Sequence, residues 1–130
     1  MTAFTRVRVR YAETDQMGVV YYANYFVWFE IGRTELLRTL GGSYRELEAS
    51  GVFLPVIDTA CRYLQSSRYD DELEIRTEGQ LISAIRVRFD YTVTRLADQV
   101  TTAQGYTVHA ALSPRGRACR LPDHIRTALA

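Results

Sequence analysis

The residues with most chemistry to offer stand close together near the N-terminus, in Arg8-Val9-Arg10-Tyr11-Ala12-Glu13-Thr14-Asp15-Gln16-Met17-Gly18-Val19-Val20-Tyr21-Tyr22-Ala23-Asn24-Tyr25. An alternating strand runs into a carboxylate, a glycine turn follows, and a long apolar helix begins a few residues later. The first turn of a helix leaves backbone N–H groups without intrahelical acceptors and is the electropositive end of the element. A substrate carbonyl aimed at those groups would have its developing oxyanion stabilised during attack, with Asp15 as the nucleophile or as the base that activates one. A plainer reading also fits. Asp ahead of Gly is common turn chemistry, and a carboxylate beside a helix start is common capping. Spacing alone favours the plainer one.

The elements that must hold these residues follow from periodicity. Val7, Val9 and Tyr11 alternate with Arg6, Arg8 and Arg10, which predicts a first strand with one buried face. Gly18 marks a backbone turn, and Val19, Val20, Tyr21 and Tyr22 are apolar enough to predict packing rather than a solvated loop. From Asn24, a candidate cap, to Leu40, the residues Tyr25, Phe29, Gly32, Leu36 and Leu40 keep the helical period, and Gly41-Gly42 stop the element. Tyr25 to Phe29 are apolar all round, so the first turns should be covered on more than one side, in part by a partner subunit. Gly32 within the apolar stripe predicts close approach of helix to sheet, since glycine otherwise costs a helix about 1 kcal/mol relative to alanine.

Ser43-Tyr44-Arg45-Glu46 has the spacing of a capping box that opens a short helix ending near Gly51. Four strands are then expected. Phe53 to Leu64 is the second, confined by Pro55 to an edge or bulge. The third alternates through Leu73, Ile75 and Thr77, and the fourth through Ile85, Val87, Phe89, Tyr91 and Val93. In the fifth, Val100 to Leu112, the residues Tyr106, Val108, Ala110 and Leu112 form one face, and Thr107 and His109 the other. A last helical turn starts at Pro122-Asp123. The order predicts an α+β fold, an antiparallel sheet wrapped over one helix.

Composition narrows the function classes. The chain has 130 residues, the size of one domain with a core of its own. A net charge of +1 gives no general attraction to nucleic acid or acidic membranes. All sixteen basic residues are arginine, which suits bidentate contact with phosphate but equally reflects nucleotide bias or heat adaptation. Cys61 and Cys119 lack the paired spacing of a metal or disulfide framework, so no metal is expected. No apolar run is long enough for a membrane span, and Met1 to Arg6 lack the apolar core of a signal peptide. The expectation is a soluble, cytoplasmic protein.

The strings Arg8-Val9, Thr14-Asp15, Gly18-Val19-Val20, Tyr21-Tyr22 and Asn24-Tyr25 closely resemble the active-site signature of the 4-hydroxybenzoyl-CoA thioesterase family of hotdog-fold proteins. Ser67-Arg68-Tyr69-Asp70-Asp71-Glu72-Leu73 resembles that family's turn into strand three, and Arg120-Leu121-Pro122 its C-terminal ending. The resemblance implies a single hotdog domain over residues 1–130, a five-stranded antiparallel sheet around one long helix. It also implies a homodimer joined along sheet edges, or a homotetramer, with active sites at the subunit interface.

The activity implied is hydrolysis of acyl-CoA thioesters without metal or organic cofactor, coenzyme A being part of the substrate. Asp15 would attack the carbonyl or activate water, and the backbone N–H of Tyr22 would hold the carbonyl oxygen. Gly18 and Tyr25 fall in the substrate-binding part of the signature. Arg115 and Arg117 align with arginines that hold CoA phosphates in the 4-hydroxybenzoyl enzyme, whose lysines before strand four have no counterpart in Ser83-Ala84-Ile85. Arg68 and Arg120 are further candidates. The related bacterial acyl-CoA hydrolases associated with the Tol-Pal system carry histidine where this chain has Tyr22. Tyrosine is a poor base at neutral pH, which throws the base or nucleophile role onto Asp15.

Acyl selectivity would fall to Tyr25, Trp28, Phe53 and Val56. His109 and His124 read as structural; Glu13 and Glu30 lie near enough in sequence to help orient water or Tyr22, but read first as exposed carboxylates. The alternative is a non-catalytic module that binds acyl-CoA or an acyl-carrier protein. A hotdog dehydratase is disfavoured, because it would need a histidine near the helix and none occurs before His109.

Overall fold

A computed structural model describes residues 1–42 and 44–130, so the expected Ser43 cap lies outside the described residues. The elements in order are β1 (Thr2–Arg8), a 3-10 turn (Tyr11–Glu13), α1 (Asn24–Thr39), α2 (Tyr44–Ala49), β2 (Val56–Tyr63), β3 (Glu72–Ser83), β4 (Arg86–Arg95), β5 (Val100–Ala110) and α3 (Asp123–Leu129). The strands form one antiparallel sheet in the order β1-β3-β4-β5-β2, curled around α1. This is the hotdog arrangement.

The inner surface of the sheet follows from the pairing register. Ile75 of β3 faces Val93 of β4 and through it Ala103 of β5; Thr77, Tyr91 and Gly105 form the next row, and Gly79, Phe89 and Thr107 the one after. Most of these side chains are fully buried against α1, whose Tyr25, Trp28, Phe29, Leu36 and Leu37 fill the groove. Two glycines set how deeply the helix sinks. A Cβ on Gly32 would stand 2.4 Å from Thr77 Oγ1, and one on Gly105 would stand 2.7 Å from the Phe29 ring. Phe29 therefore lies flat on Tyr91, with ring centroids 4.2 Å apart.

Several expectations are revised by this packing. Strand one lies earlier than its apolar alternation suggested, because Thr2 to Arg8 pair with Glu78 to Glu72, and Tyr11 turns out of the sheet and is exposed. Asn24 does not cap α1. It is the first helical residue, and its side-chain amide donates to the Glu13 carbonyl at 2.9 Å. Tyr21 and Tyr22 are exposed, though their rings pack on each other and Tyr22 stands edge-on to Tyr63, whereas Val20 is buried.

In β5 the face that carries Thr107 and His109 is the one turned inward. Tyr106 lies on the outer surface under the Arg88 guanidinium, 4.2 Å away. The polar pair is tolerated inside because it is hydrogen-bonded: Thr107 Oγ1 lies 2.7 Å from the Tyr91 hydroxyl and 2.9 Å from His109 Nε2, while His109 Nδ1 meets the Leu54 carbonyl at 2.9 Å. Burial pulls the His109 imidazole down to about 4, so it is neutral at physiological pH.

β2 is the opposite case. It forms one edge of the sheet and is exposed along almost its whole length, with Val56 43% and Ile57 48% accessible. Pro55 immediately precedes it, in keeping with an edge position.

Candidate active site

Three segments meet at the N-terminal end of α1. The first is a tight hairpin in which Thr14 pairs with Val20, Asp15 N–H donates to Val19 O at 2.9 Å and Gly18 N–H returns to Asp15 O at 2.9 Å. Gly18 adopts φ +77°, a conformation that glycine takes without strain. At the tip the Asp15 carboxylate accepts Met17 N–H at 2.9 Å through Oδ1. The turn chemistry expected of an Asp before a Gly is therefore present, and it holds the carboxylate at the hairpin tip.

The second segment, residues 64–71 between β2 and β3, lies against this hairpin. Val20 N–H donates to Ser67 O at 2.8 Å. The Arg68 guanidinium passes 3.7 Å from where a Cβ on Gly18 would stand, which brings two of the expected substrate-binding residues together. The third segment is the end of β2, where the Tyr63 hydroxyl donates to the Tyr22 carbonyl at 3.1 Å and the ring packs edge-on against Tyr25. Val20, Tyr22, Tyr25, Tyr63 and Leu64 wall a cavity of about 220 Å³ beside the helix start.

Backbone bonding at the helix start leaves donors free. Tyr21 N–H donates to Glu13 O and Asn24 N–H to Tyr21 O, whereas neither Tyr22 nor Ala23 donates its N–H to a protein acceptor among the described residues. The charge of Asp15 is felt at the neighbouring Tyr21 side chain. The Tyr21 phenol is raised above its ordinary value first by its hydrogen bond to the Tyr22 hydroxyl and, more weakly, by the Asp15 charge.

Other candidate residues fall elsewhere in the single chain. Arg115 and Arg117 are exposed on the turn that starts at Ser113, next to the Phe53–Leu112 bridge that precedes β2. The helix start touches the far end of β2, about 23 Å away at 3.3 Å per strand residue. Arg120 lines a different cavity of about 360 Å³ with Leu37, Leu47 and His124, beside the C-terminal end of α1.

Of the four residues expected to set acyl selectivity, Tyr25 alone lines the cavity at the helix start. Trp28 is buried beneath it, and Phe53 and Val56 stand at the other end of β2. Tyr63 and Leu64 were missed. Their signal was an apolar pair at the end of an exposed edge strand, which reads as ordinary strand until its neighbours are known. Glu13 is also revised, since it is 5% accessible rather than exposed. Glu30 is exposed, as expected. Among the described residues no three His, Cys, Asp or Glu side chains converge as a metal site, and no helix is long and apolar enough to cross a membrane.

A carboxylate at a hairpin tip, two N–H groups with no protein acceptor among the described residues and a cavity walled in part by tyrosines thus lie together at one end of the hotdog sheet. The chain belongs to the thioesterase-like superfamily, whose family model matches residues 9–129. It is 38% identical to YneP of Bacillus subtilis, named a candidate acyl-CoA thioesterase, over 73% of this chain and 69% of that protein. With the Escherichia coli O157:H7 acyl-CoA thioester hydrolase YbgC it shares 44% identity, over 55% of this chain and 54% of that one. Among solved structures, the hypothetical protein TT1821 of Thermus thermophilus superposes with a TM-score of 0.90 at 39% identity, covering 99% of this chain and 95% of that one. The DHNA-CoA thioesterase of Staphylococcus aureus gives 0.87 at 30% identity, covering 92% and 80%.

Proposed function

We propose that this protein hydrolyses acyl-CoA thioesters, with Asp15 as general base or nucleophile and the N–H groups at the start of α1 as the oxyanion site. The observation that carries the reading is a pair of donors without a protein acceptor among the described residues, Tyr22 N–H and Ala23 N–H, beside the Asp15 hairpin. In the general-base route Asp15 takes a proton from water as the oxygen adds to the thioester carbon. The carbonyl oxygen becomes an oxyanion facing the helix start, the C–S bond breaks, and the proton returns to the departing CoA sulfur. In the nucleophilic route the carboxylate adds first, the C–S bond breaks to release CoA thiolate, and water hydrolyses the resulting mixed anhydride to free acid and the Asp15 carboxylate. Names of relatives at 38% and 44% identity support acyl-CoA as the substrate class. The family model supports the thioesterase chemistry.

The working unit in this reading is a homodimer joined along β2. Its exposed apolar side chains and its unpaired edge suit a second copy. Antiparallel pairing about a two-fold axis would set Val56 of one copy near Tyr63 of the other. The Ser113–Arg117 turn of one copy would then overhang the helix start of its mate, giving Arg115 and Arg117 a CoA phosphate role that a single chain cannot provide. Arg68 would contribute from the same chain as Asp15.

Thiol release from a panel of aliphatic and aryl acyl-CoAs tests the activity. Turnover of at least one class is expected, while saturable acyl-CoA binding without any thiol release would replace the enzyme with a binding module.

A further inference from the structure

The Asp15 hairpin and the start of α1 are joined by a residue buried between them. Glu13 sits at the end of the 3-10 turn, 5% accessible. Its Oε1 accepts Arg10 N–H at 2.7 Å, with the Arg10 Nε 3.5 Å away, and its Oε2 accepts the Trp28 indole N–H at 3.2 Å. Its own carbonyl accepts two further donors, Tyr21 N–H at 2.8 Å and the Asn24 side-chain amide at 2.9 Å. One residue thus binds the chain entering the hairpin, the chain leaving it, and the first and second turns of α1.

Packing alone does not call for a carboxylate here. Burying an ionisable group costs stability unless every lone pair is used, and a well-packed apolar side chain commonly does as well or better in such a place. What an apolar residue cannot do is fix two donors from different elements in one geometry. The bonds of Glu13 leave the hairpin tip little freedom relative to the helix, and that distance decides whether the Asp15 carboxylate and the Tyr22 N–H can address the same carbonyl group.

We propose that Glu13 is a positioning residue for the reaction, its carboxylate holding the Asp15 hairpin against the N-terminal turns of α1 by bridging Arg10 N–H and the Trp28 indole N–H. The inference rests on the thioesterase reading for its catalytic consequence but not for its structural one. Glu13→Gln keeps the volume and replaces one acceptor oxygen with a donor, so either Arg10 N–H or the Trp28 N–H must face an N–H group. Trp28→Phe removes the indole donor from the other side.

Each variant is expected to lower kcat about ten- to a hundredfold, with KM for acyl-CoA within about threefold. The double variant should fall no further than the weaker single one, because both cut the same link. A kcat per folded molecule within twofold of wild type, with only the melting temperature reduced, would overturn the proposal, as would effects that multiply. If Glu13→Gln fails to fold, Trp28→Phe carries the same kinetic comparison.

A second readout needs no turnover. Amide exchange at Asp15, Gly18 and Tyr21, whose N–H groups bond Val19 O, Asp15 O and Glu13 O, should quicken at least about tenfold in Glu13→Gln while β3 and β4 keep their protection. Unchanged hairpin exchange, or a uniform rise across the sheet, would overturn the positioning role. A wild-type protein that releases no thiol would instead overturn the thioesterase reading, leaving the exchange result to judge Glu13 alone.

Discussion

The Tyr63 hydroxyl reaches from the end of the edge strand to the Tyr22 carbonyl, 3.1 Å away, and so joins β2 to the peptide whose neighbour carries the proposed oxyanion donor. Burial pushes the Tyr63 phenol up to about 12, so it remains a donor through neutral and mildly alkaline pH. Tyr63→Phe keeps the ring against Tyr25 and loses the tie. The expected result is a several-fold fall in kcat/KM with a stability change within about 1 kcal/mol, measured by steady-state kinetics and thermal melting.

Gly32 and Gly105 determine how close α1 comes to the sheet. Alanine at either position should destabilise the fold by about 1–3 kcal/mol through overpacking, despite alanine's better helix propensity at position 32. Gly105→Ala should be the worse, because its Cβ would stand 2.5 Å from the Ala60 backbone carbonyl as well as against Phe29. Urea titration of both variants checks the order. A neutral Gly105→Ala would mean that helix and sheet can separate at no cost.

His109 should weaken the protein in mild acid. Its folded pKa, about 4, lies below the ordinary 6.5, so the unfolded chain takes up this proton first as pH falls. Its contribution is fully present above pH 6.5 and is lost down to about pH 4, on the order of 3 kcal/mol in all. An NMR titration of the His109 ring resonances should show no protonation of the folded protein above about pH 5.

Sequence alone showed much of this architecture, for reasons visible in particular residues. β4 was plain because Val87, Phe89, Tyr91 and Val93 alternate with polar neighbours and are all buried. In β5 alternation separated two faces without telling which is buried, since Thr107 and His109 are satisfied inside by each other, by Tyr91 on β4 and by the Leu54 carbonyl. Asp15 and Gly18 could be placed at a turn by local chemistry. The inward role of Glu13 could not, because its partner Trp28 is fifteen residues away and meets it only after α1 folds back over the sheet. The distance between Arg115 and the helix start is likewise a fact of strand pairing.

The Ser113–Arg117 turn gives the proposed assembly a separate test. Arg115→Ala and Arg117→Ala should raise KM for acyl-CoA while leaving turnover of a short thioester that lacks the CoA nucleotide unchanged. Sedimentation should show a dimer or larger assembly. An active monomer with both arginines dispensable would remove the second copy from the site.

Asp15→Asn addresses the central chemistry with the least disturbance, since asparagine can still accept the Met17 N–H that fixes the hairpin tip. Thiol release by this variant should fall about 10²- to 10⁴-fold against the best wild-type substrate, with the melting temperature unchanged. Turnover within a few-fold of wild type in the folded variant would take Asp15 out of the reaction and contradict the mechanism proposed.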